Sequence, residues 1–293
     1  MSALLQLTGR DHDLGGGFMV RRLLPSAQRQ SIGPFLFFDH FGPVLEQPGV
    51  NHDVRPHPHI GLSTVTYLFE GAMVHRDSLG YVQKIEPGAI NWMTSGRGIV
   101  HSERRPQELR DQAYVNHGIQ LWAALPREHE EVAPSFAHTP AAALPALKAG
   151  DADVRVLVGE ALGATSPVGT YSRTIYLDIS LPASGRLTLP PLAPELAVYA
   201  VDGDLLIDGT PVAAHTLAVL PPGASVELVA PAAARLMVLG GDALPERRFI
   251  WWNFVSSRKE RIAQAARDWE AQAIGQVPGE TEFIPLPEKR FIV

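Results

Sequence analysis

Turn-forming residues recur along this chain at intervals of roughly 6 to 14 residues, and the runs between them are rich in β-branched and aromatic side chains. Thr64-Val-Thr-Tyr-Leu-Phe69 stops at Glu70-Gly71, Tyr81-Val-Gln-Lys-Ile85 at Pro87-Gly88, and Gly118-Ile-Gln-Leu-Trp-Ala123 at Pro126. A chain punctuated this often has little room for helices and builds sheets from short strands. Its 26 glycines and 25 prolines supply the turns without any low-complexity run. Further along, Ile175, Leu177, Ile179 and Leu181 alternate with Tyr176, Asp178 and Ser180, the period of a half-buried strand. Asp202-Gly203, Asp208-Gly209 and Pro222-Gly223 read as tight turns. The spacing predicts an all-β sandwich or barrel.

A length of 293 residues suggests about two domains, and 45% hydrophobic against 19% charged residues is enough to give each a core. The stretch Ala133–Asp153, with Pro134, Pro140 and Pro145, reads as a linker. The expected division is therefore 1–132, a linker over 133–153, 154–245, and a tail over 246–293. In the tail, Ser257-Arg-Lys-Glu260 has the capping-box pattern. Ile262, Ala265, Ala266, Trp269 and Ala273 follow at helical spacing and predict one amphipathic helix over about 258–274. Its basic residues Arg258, Lys259, Arg261 and Arg267 read as a solvated face.

Cysteine is absent, which removes disulfides, thiolate ligands and cysteine nucleophiles together. A net charge of −6 gives no electrostatic support for binding nucleic acid. No apolar run approaches the ~20 residues of a membrane helix, and the N-terminal MSALLQLTGRDHD lacks a signal-peptide pattern. The expectation is a soluble, cytoplasmic protein that binds neither nucleic acid nor membrane.

Two short patterns carry chemistry. His57 and His59 stand two apart between Pro56, Pro58 and Ile60. The prolines disfavour helix, and on extended backbone residues two apart share a face, roughly 6.5–7 Å along the chain. His101 and Glu103 repeat the spacing after the Ser95-Gly-Arg-Gly98 turn. Two such pairs on two strands of one barrel can converge on a point. Three imidazoles and a carboxylate form a sulfur-free set that suits iron, manganese, cobalt, nickel, copper or zinc. Four protein ligands would leave one or two positions open on a five- or six-coordinate ion, as a catalytic metal requires. The remaining histidines, His12, His40, His52, His75, His117, His129, His138 and His215, carry no such pattern and read as ordinary surface or core residues. His129-Glu-Glu-Val-Ala133 lacks the second histidine of a zincin helix, and Gly96-Arg-Gly-Ile-Val-His101 lacks the third glycine of a dinucleotide loop.

The assembly of His57-Pro-His59, Thr64-Val-Thr-Tyr-Leu-Phe-Glu-Gly71, His75-Arg-Asp-Ser-Leu-Gly80 and Trp92-Met-Thr-Ser-Gly-Arg-Gly-Ile-Val-His-Ser-Glu103 resembles the pirin family. Pro34-Phe-Leu-Phe-Phe-Asp-His-Phe-Gly42 and Gly118-Ile-Gln-Leu-Trp122 are similar to flanking pirin strands. The resemblance implies two tandem cupin barrels, of the double-stranded β-helix or jelly-roll type, followed by the C-terminal helix. It implies a metal in the N-terminal barrel held by His57, His59, His101 and Glu103. Two positions depart from the pattern: Ser63 stands where cupins usually carry a glutamate, and Gly96 where a proline is usual. Tyr67-Leu-Phe-Glu-Gly71 is echoed by Tyr199-Ala-Val-Asp-Gly203. Ten and eight residues before Tyr67 stand His57 and His59; the same counts before Tyr199 reach Leu189 and Pro191, so a second barrel would lack the first ligand pair.

The cofactor the resemblance implies is one divalent transition metal, Fe(II) first, with Mn, Ni, Co, Cu and Zn compatible. The activity it implies is that of a quercetin 2,3-dioxygenase, with a flavonol-like aromatic substrate and O₂. Glu103 would then be both ligand and catalytic acceptor of the substrate's hydroxyl proton, and Phe37 or Phe38 either core or pocket wall. The alternative is an iron-dependent, redox-sensing regulator that acts by binding a protein partner. A cupin isomerase or hydrolase is a third reading, since one fold hosts many chemistries.

Overall fold

The computed structural model describes residues 4–14, 17–50 and 52–291. They are mostly strand, with one α-helix near the C-terminus. The chain forms two compact units, and neither is contiguous in sequence. One comprises Met1–Asp11, Arg21–Phe38 and Thr139–Leu244; the other His12–Val20, Asp39–His138 and Pro245–Val293. This division interleaves the consecutive segments expected from the sequence. The strand Leu5–Leu7, for example, pairs antiparallel with Leu217–Val219. The stretch expected as a linker is structured: it holds the strands Ser135–Thr139 and Ala146–Ala149 and the 3-10 turn Ala141–Ala143. Pro134, Pro140 and Pro145 each stand one residue ahead of one of these elements, where a missing N–H costs least.

The first unit packs a seven-stranded sheet against a four-stranded one. Val156, Leu177, Val198 and Leu236 of the larger sheet share a core with Leu187, Leu205 and Leu228 of the smaller. Each such side chain contributes on the order of 1.5–3 kcal/mol on burial. The strand Thr174–Leu181 is buried on both faces rather than one, with Tyr176 0% exposed. Asp178 tolerates this because Arg235 donates to both its oxygens, at 2.9 and 2.6 Å. Asp208-Gly209 makes the expected two-residue hairpin: both have positive φ, and Ile207 pairs with Thr210. Phe38 is fully buried in this unit, edge-on to Tyr199 at 4.8 Å, and Phe37 is buried as well, so both are core.

The second unit carries the two histidine-bearing strands. Its four-stranded sheet runs in the order Val54–His59, Ile99–Arg104, Met73–Asp77, Val82–Ile85. The larger sheet includes Ser135–Thr139, Ile90–Thr94, Leu62–Glu70 and Tyr114–Ala124 in that order. Phe18, Phe41 and Leu68 meet Ile85 and Ala89 in its core. Tyr67 is 0% exposed, and its strand ends at Gly71 with φ +87°; Tyr199 and Gly203, at 0% and +84°, match them in the first unit.

The helix spans Lys259–Glu270, shorter at both ends than the pattern predicts. Its N-cap is Arg258, which makes no side-chain capping bond. The expected capping-box serine is engaged elsewhere: Ser257 donates its N–H to Glu130 at 2.8 Å and its hydroxyl to the same carboxylate at 3.1 Å. Ile262, Ala265 and Trp269 pack on Ile60, Val100, Phe254 and Val277, and the Trp269 indole donates to the Ile284 carbonyl at 3.0 Å. Ile60 follows His59 and Val100 precedes His101, so the helix braces both histidine strands. Its basic face is only partly solvated, since Arg258 and Arg261 both reach Glu131, at 3.1 and 2.9 Å. Among the described residues, no helix is long and apolar enough to cross a membrane.

Candidate metal centre

Antiparallel pairing brings the histidines together. His101 lies directly opposite His57, and Ile99 opposite His59. The His57 and His101 rings stand 4.3 Å apart, and His59 stands 5.0 Å from each. One nitrogen from each of the three falls within 4.8 Å of the others, and all three residues are buried. Strand Val54–His59 keeps both its histidines on one face, as the flanking prolines predict. Gly61, just beyond, has φ +69°, and a Cβ there would lie 2.0 Å from the Val255 carbonyl. Only glycine fits where the chain passes this closely.

Each ring is held through Nδ1. His57 Nδ1 donates to the Arg55 carbonyl at 2.9 Å and His59 Nδ1 to the Asn253 carbonyl at 3.1 Å. His101 Nδ1 stands 3.4 Å from His75 Nδ1. With the proton on Nδ1, the Nε2 lone pairs of His57 and His59 are free for another partner. His101 Nε2 is buried without any hydrogen-bond partner. A buried orphan of this kind costs about 1–3 kcal/mol unless something satisfies it. Burial pushes His57 down to about 4, with His75 adding a smaller repulsion against the Arg55 bond. Burial, then the neighbouring histidines, holds His59 and His101 well below the ordinary imidazole range. Neutral, oriented imidazoles are the form that binds a metal, so these residues fit a divalent transition ion.

Glu103 is not brought into this group. The pairing with Val54–His59 shifts register between His101 and Glu103, so Glu103 faces Val54 instead of Arg55. The extra residue of this bulge lies in Val54–His59, whereas Ile99–Arg104 pairs regularly with Met73–Asp77, so Glu103 keeps its alternation with His101. Glu103 lines a cleft with Phe18, Glu46, His52, Tyr114 and Asn116. Burial raises its carboxyl to about 7. Burial also raises the Tyr114 hydroxyl to about 12, so it remains a donor at neutral pH.

The two departures from the family pattern have local explanations. Ser63 is buried, and its hydroxyl pairs with that of Thr94 at 3.1 Å, so two neutral groups satisfy each other where a charge would stand. Gly96 has φ +49°, and a Cβ there would lie 2.0 Å from the Val132 carbonyl, a conformation closed to proline. Trp122 closes the apolar side of the triad, edge-on to His59 at 5.2 Å. Several histidines set aside on sequence have specific partners: His40 and His117 pair at 2.7 Å, His52 bonds Glu46 at 2.8 Å, and His75 bonds Asp77 at 2.9 Å. In sequence, His75 and Asp77 stand two apart within His75-Arg-Asp-Ser-Leu-Gly80, one of the segments that carry the family resemblance.

These shifts set the acid response of the metal-free protein. Depressed histidines mean that the unfolded chain takes up protons below about 6.5 while the folded one does not, until about 4 for His57. Stability from the triad is therefore complete above 6.5 and falls as pH drops. Glu103 acts oppositely, since the folded state holds its proton up to about 7. Three imidazoles outweigh one carboxyl between pH 6.5 and 4.5, at about 1.4 kcal/mol per pH unit for each unmatched proton. The urea midpoint of the metal-free protein is expected to fall between pH 6.5 and 5; a flat or rising midpoint would contradict the neutral triad.

Residues 17–123 match the family model described as Pirin, and residues 176–275 that of the Pirin C-terminal cupin domain. A pirin-like protein of Caulobacter vibrioides is 46% identical over 289 residues, covering 97% of this chain and 99% of its own. The pirin of Homo sapiens is 34% identical over 273 residues, covering 90% and 91%. Among solved structures, a quercetin 2,3-dioxygenase of Acinetobacter baumannii is similar with a TM-score of 0.91 at 33% identity, covering 99% of this chain and 97% of that one.

Proposed function

The chain belongs to the pirin family of tandem cupin proteins, and on that premise we propose that it is a dioxygenase for small flavonol-like aromatics. The residues that would hold its metal are His57, His59 and His101; Glu103 stands outside that close group but two residues from His101 on the same regular strand, and is proposed as a fourth donor. One observation carries the proposal: three buried imidazoles lie together, each anchored at Nδ1, and one Nε2 has nothing to bind. The 33% identical structural relative named as a quercetin 2,3-dioxygenase supports the choice of chemistry. Fe(II) bound there would supply a Lewis acid that acidifies a substrate hydroxyl and a template for O₂.

The chain's own groups divide the remaining work. Glu103, a carboxylate two residues from His101, is suited to accept the hydroxyl proton of the substrate. Tyr114, raised to about 12, is suited to donate a hydrogen bond in the same cleft. Phe18 offers an apolar face beside them. Trp122 keeps water from one side of the triad.

The test is oxygen uptake with quercetin by protein reconstituted anaerobically with Fe(II), with carbon monoxide release followed alongside. Uptake by the wild type and none by His101→Ala is the expected result. No uptake by protein with iron confirmed bound would overturn the dioxygenase assignment.

A further inference from the structure

We propose that His75 and Asp77 are positioning residues that fix the tautomer of His101, so that its Nε2 lone pair points into the triad. The inference rests on the reading of His101 as a metal ligand. His57 and His59 are each anchored by a backbone carbonyl, which can only accept and so leaves no choice of tautomer. His101 has a side chain in that place. Its Nδ1 faces His75 Nδ1 at 3.4 Å, and two ring nitrogens can share a hydrogen bond in either direction.

Asp77 removes the ambiguity. One of its oxygens, Oδ1, accepts from the N–H groups of Leu79 and Tyr81, at 2.9 and 3.1 Å. The other, Oδ2, lies 2.9 Å from His75 Nε2. Asp77 is 0% exposed and, as a carboxylate, can only accept. A neutral His75 must therefore carry its proton on Nε2, which leaves its Nδ1 an acceptor. His101 must then donate from Nδ1, and its Nε2 keeps a lone pair. That nitrogen is the one buried without a partner.

The surroundings hold this line in place. Asp77 pairs across the sheet with His101, and His75 with Glu103. Ser78 clamps the register: its N–H donates to the Val100 carbonyl at 2.8 Å, and its hydroxyl accepts from the Val100 N–H at 3.1 Å. The His75 ring stacks on Phe136 at 4.2 Å with 9° between planes, which leaves it little freedom to turn.

Asp77→Asn tests the inference with little change in shape. The amide oxygen still accepts from Leu79 and Tyr81, and the NH₂ now faces His75 Nε2. His75 must then accept there and donate from Nδ1, which forces the His101 proton onto Nε2. The first measurement needs no metal: long-range ¹H–¹⁵N spectra of the histidine rings of the metal-free wild type and of Asp77→Asn. The expected result is His101 protonated at Nδ1 and His75 at Nε2 in the wild type, with both reversed in Asp77→Asn. His101 protonated at Nε2 in the wild type would overturn the proposal without reference to any variant. The second measurement titrates Ni(II) into each protein. Asp77→Asn is expected to bind about 10- to 100-fold more weakly; unchanged tautomers and affinity would overturn the relay. His101→Ala separates the two ideas, because retained affinity there would sink the triad itself, whereas a loss there with Asp77→Asn unaffected would sink the relay alone.

Discussion

His101→Ala is expected to weaken binding of a divalent transition metal by about 100-fold or more while leaving the fold in place. Binding free energies of roughly 10–16 kcal/mol, shared over three or four donors, make each imidazole worth about 2.5–5 kcal/mol. At 1.4 kcal/mol per tenfold, that is about two to four orders of magnitude. The fold should tolerate the change because neighbouring Val100 and Ser102 remain buried and paired in the sheet. Loss of the orphaned Nε2 offsets part of the lost packing. Metal titration followed by thermal denaturation of both metal-free proteins checks this. Affinity within threefold of the wild type would show that His101 is not a ligand.

Glu130→Ala is expected to lower stability by about 3–5 kcal/mol, the cost of leaving a buried charge without its partner. Glu130 and Arg248 are buried together, with 3% and 2% of their side chains exposed, and meet at 3.1 Å. The carboxylate also accepts from the Ser256 hydroxyl at 2.9 Å and from Ser257, so it ties down the segment that leads into the helix. Asn253, whose carbonyl anchors His59, lies only three residues before Ser256. The same substitution should therefore weaken metal binding too, by less than His101→Ala does. A fall in melting temperature on the order of 10 °C is the expected readout. The exposed pair of Arg127 and Glu246 serves as the control, since Arg127→Ala should cost no more than about 1 kcal/mol. Equal effects at the two sites would mean that Glu130 carries no special burden.

Much of the centre could be read along the chain because its geometry is local. Prolines on either side of His57 dictate extended backbone, and extended backbone puts His57 and His59 on one face. Tyr67 with Gly71, and Tyr199 with Gly203, mark the same strand-and-turn device in each unit through residues that are adjacent in sequence. The near-continuous strands needed for an all-β fold were legible from turn spacing for the same reason.

What escaped depends on pairing between distant segments. The bulge in Val54–His59 that sets Val54 instead of Arg55 opposite Glu103 arises between two strands, and neither strand shows it alone. His75 looked ordinary because its importance comes from lying across the sheet from Glu103, with Asp77 opposite His101. The anchor for His59 comes from a carbonyl 194 residues away. Ser257 satisfies the capping-box pattern, yet Glu130 offers it a buried carboxylate, and tertiary bonding overrides the local cap. Exchange of early segments between the two units follows from strands such as Leu5–Leu7 finding partners more than two hundred residues later.

X-ray absorption at the iron edge of anaerobically loaded protein tests most directly whether the triad is the metal centre. Three imidazole nitrogens at about 2.0–2.2 Å, with oxygen donors completing the shell, are the expected result, and His101→Ala should reduce the imidazole count by one. A shell of oxygen donors with fewer than two imidazoles, unchanged in that variant, would contradict a metal held by His57, His59 and His101.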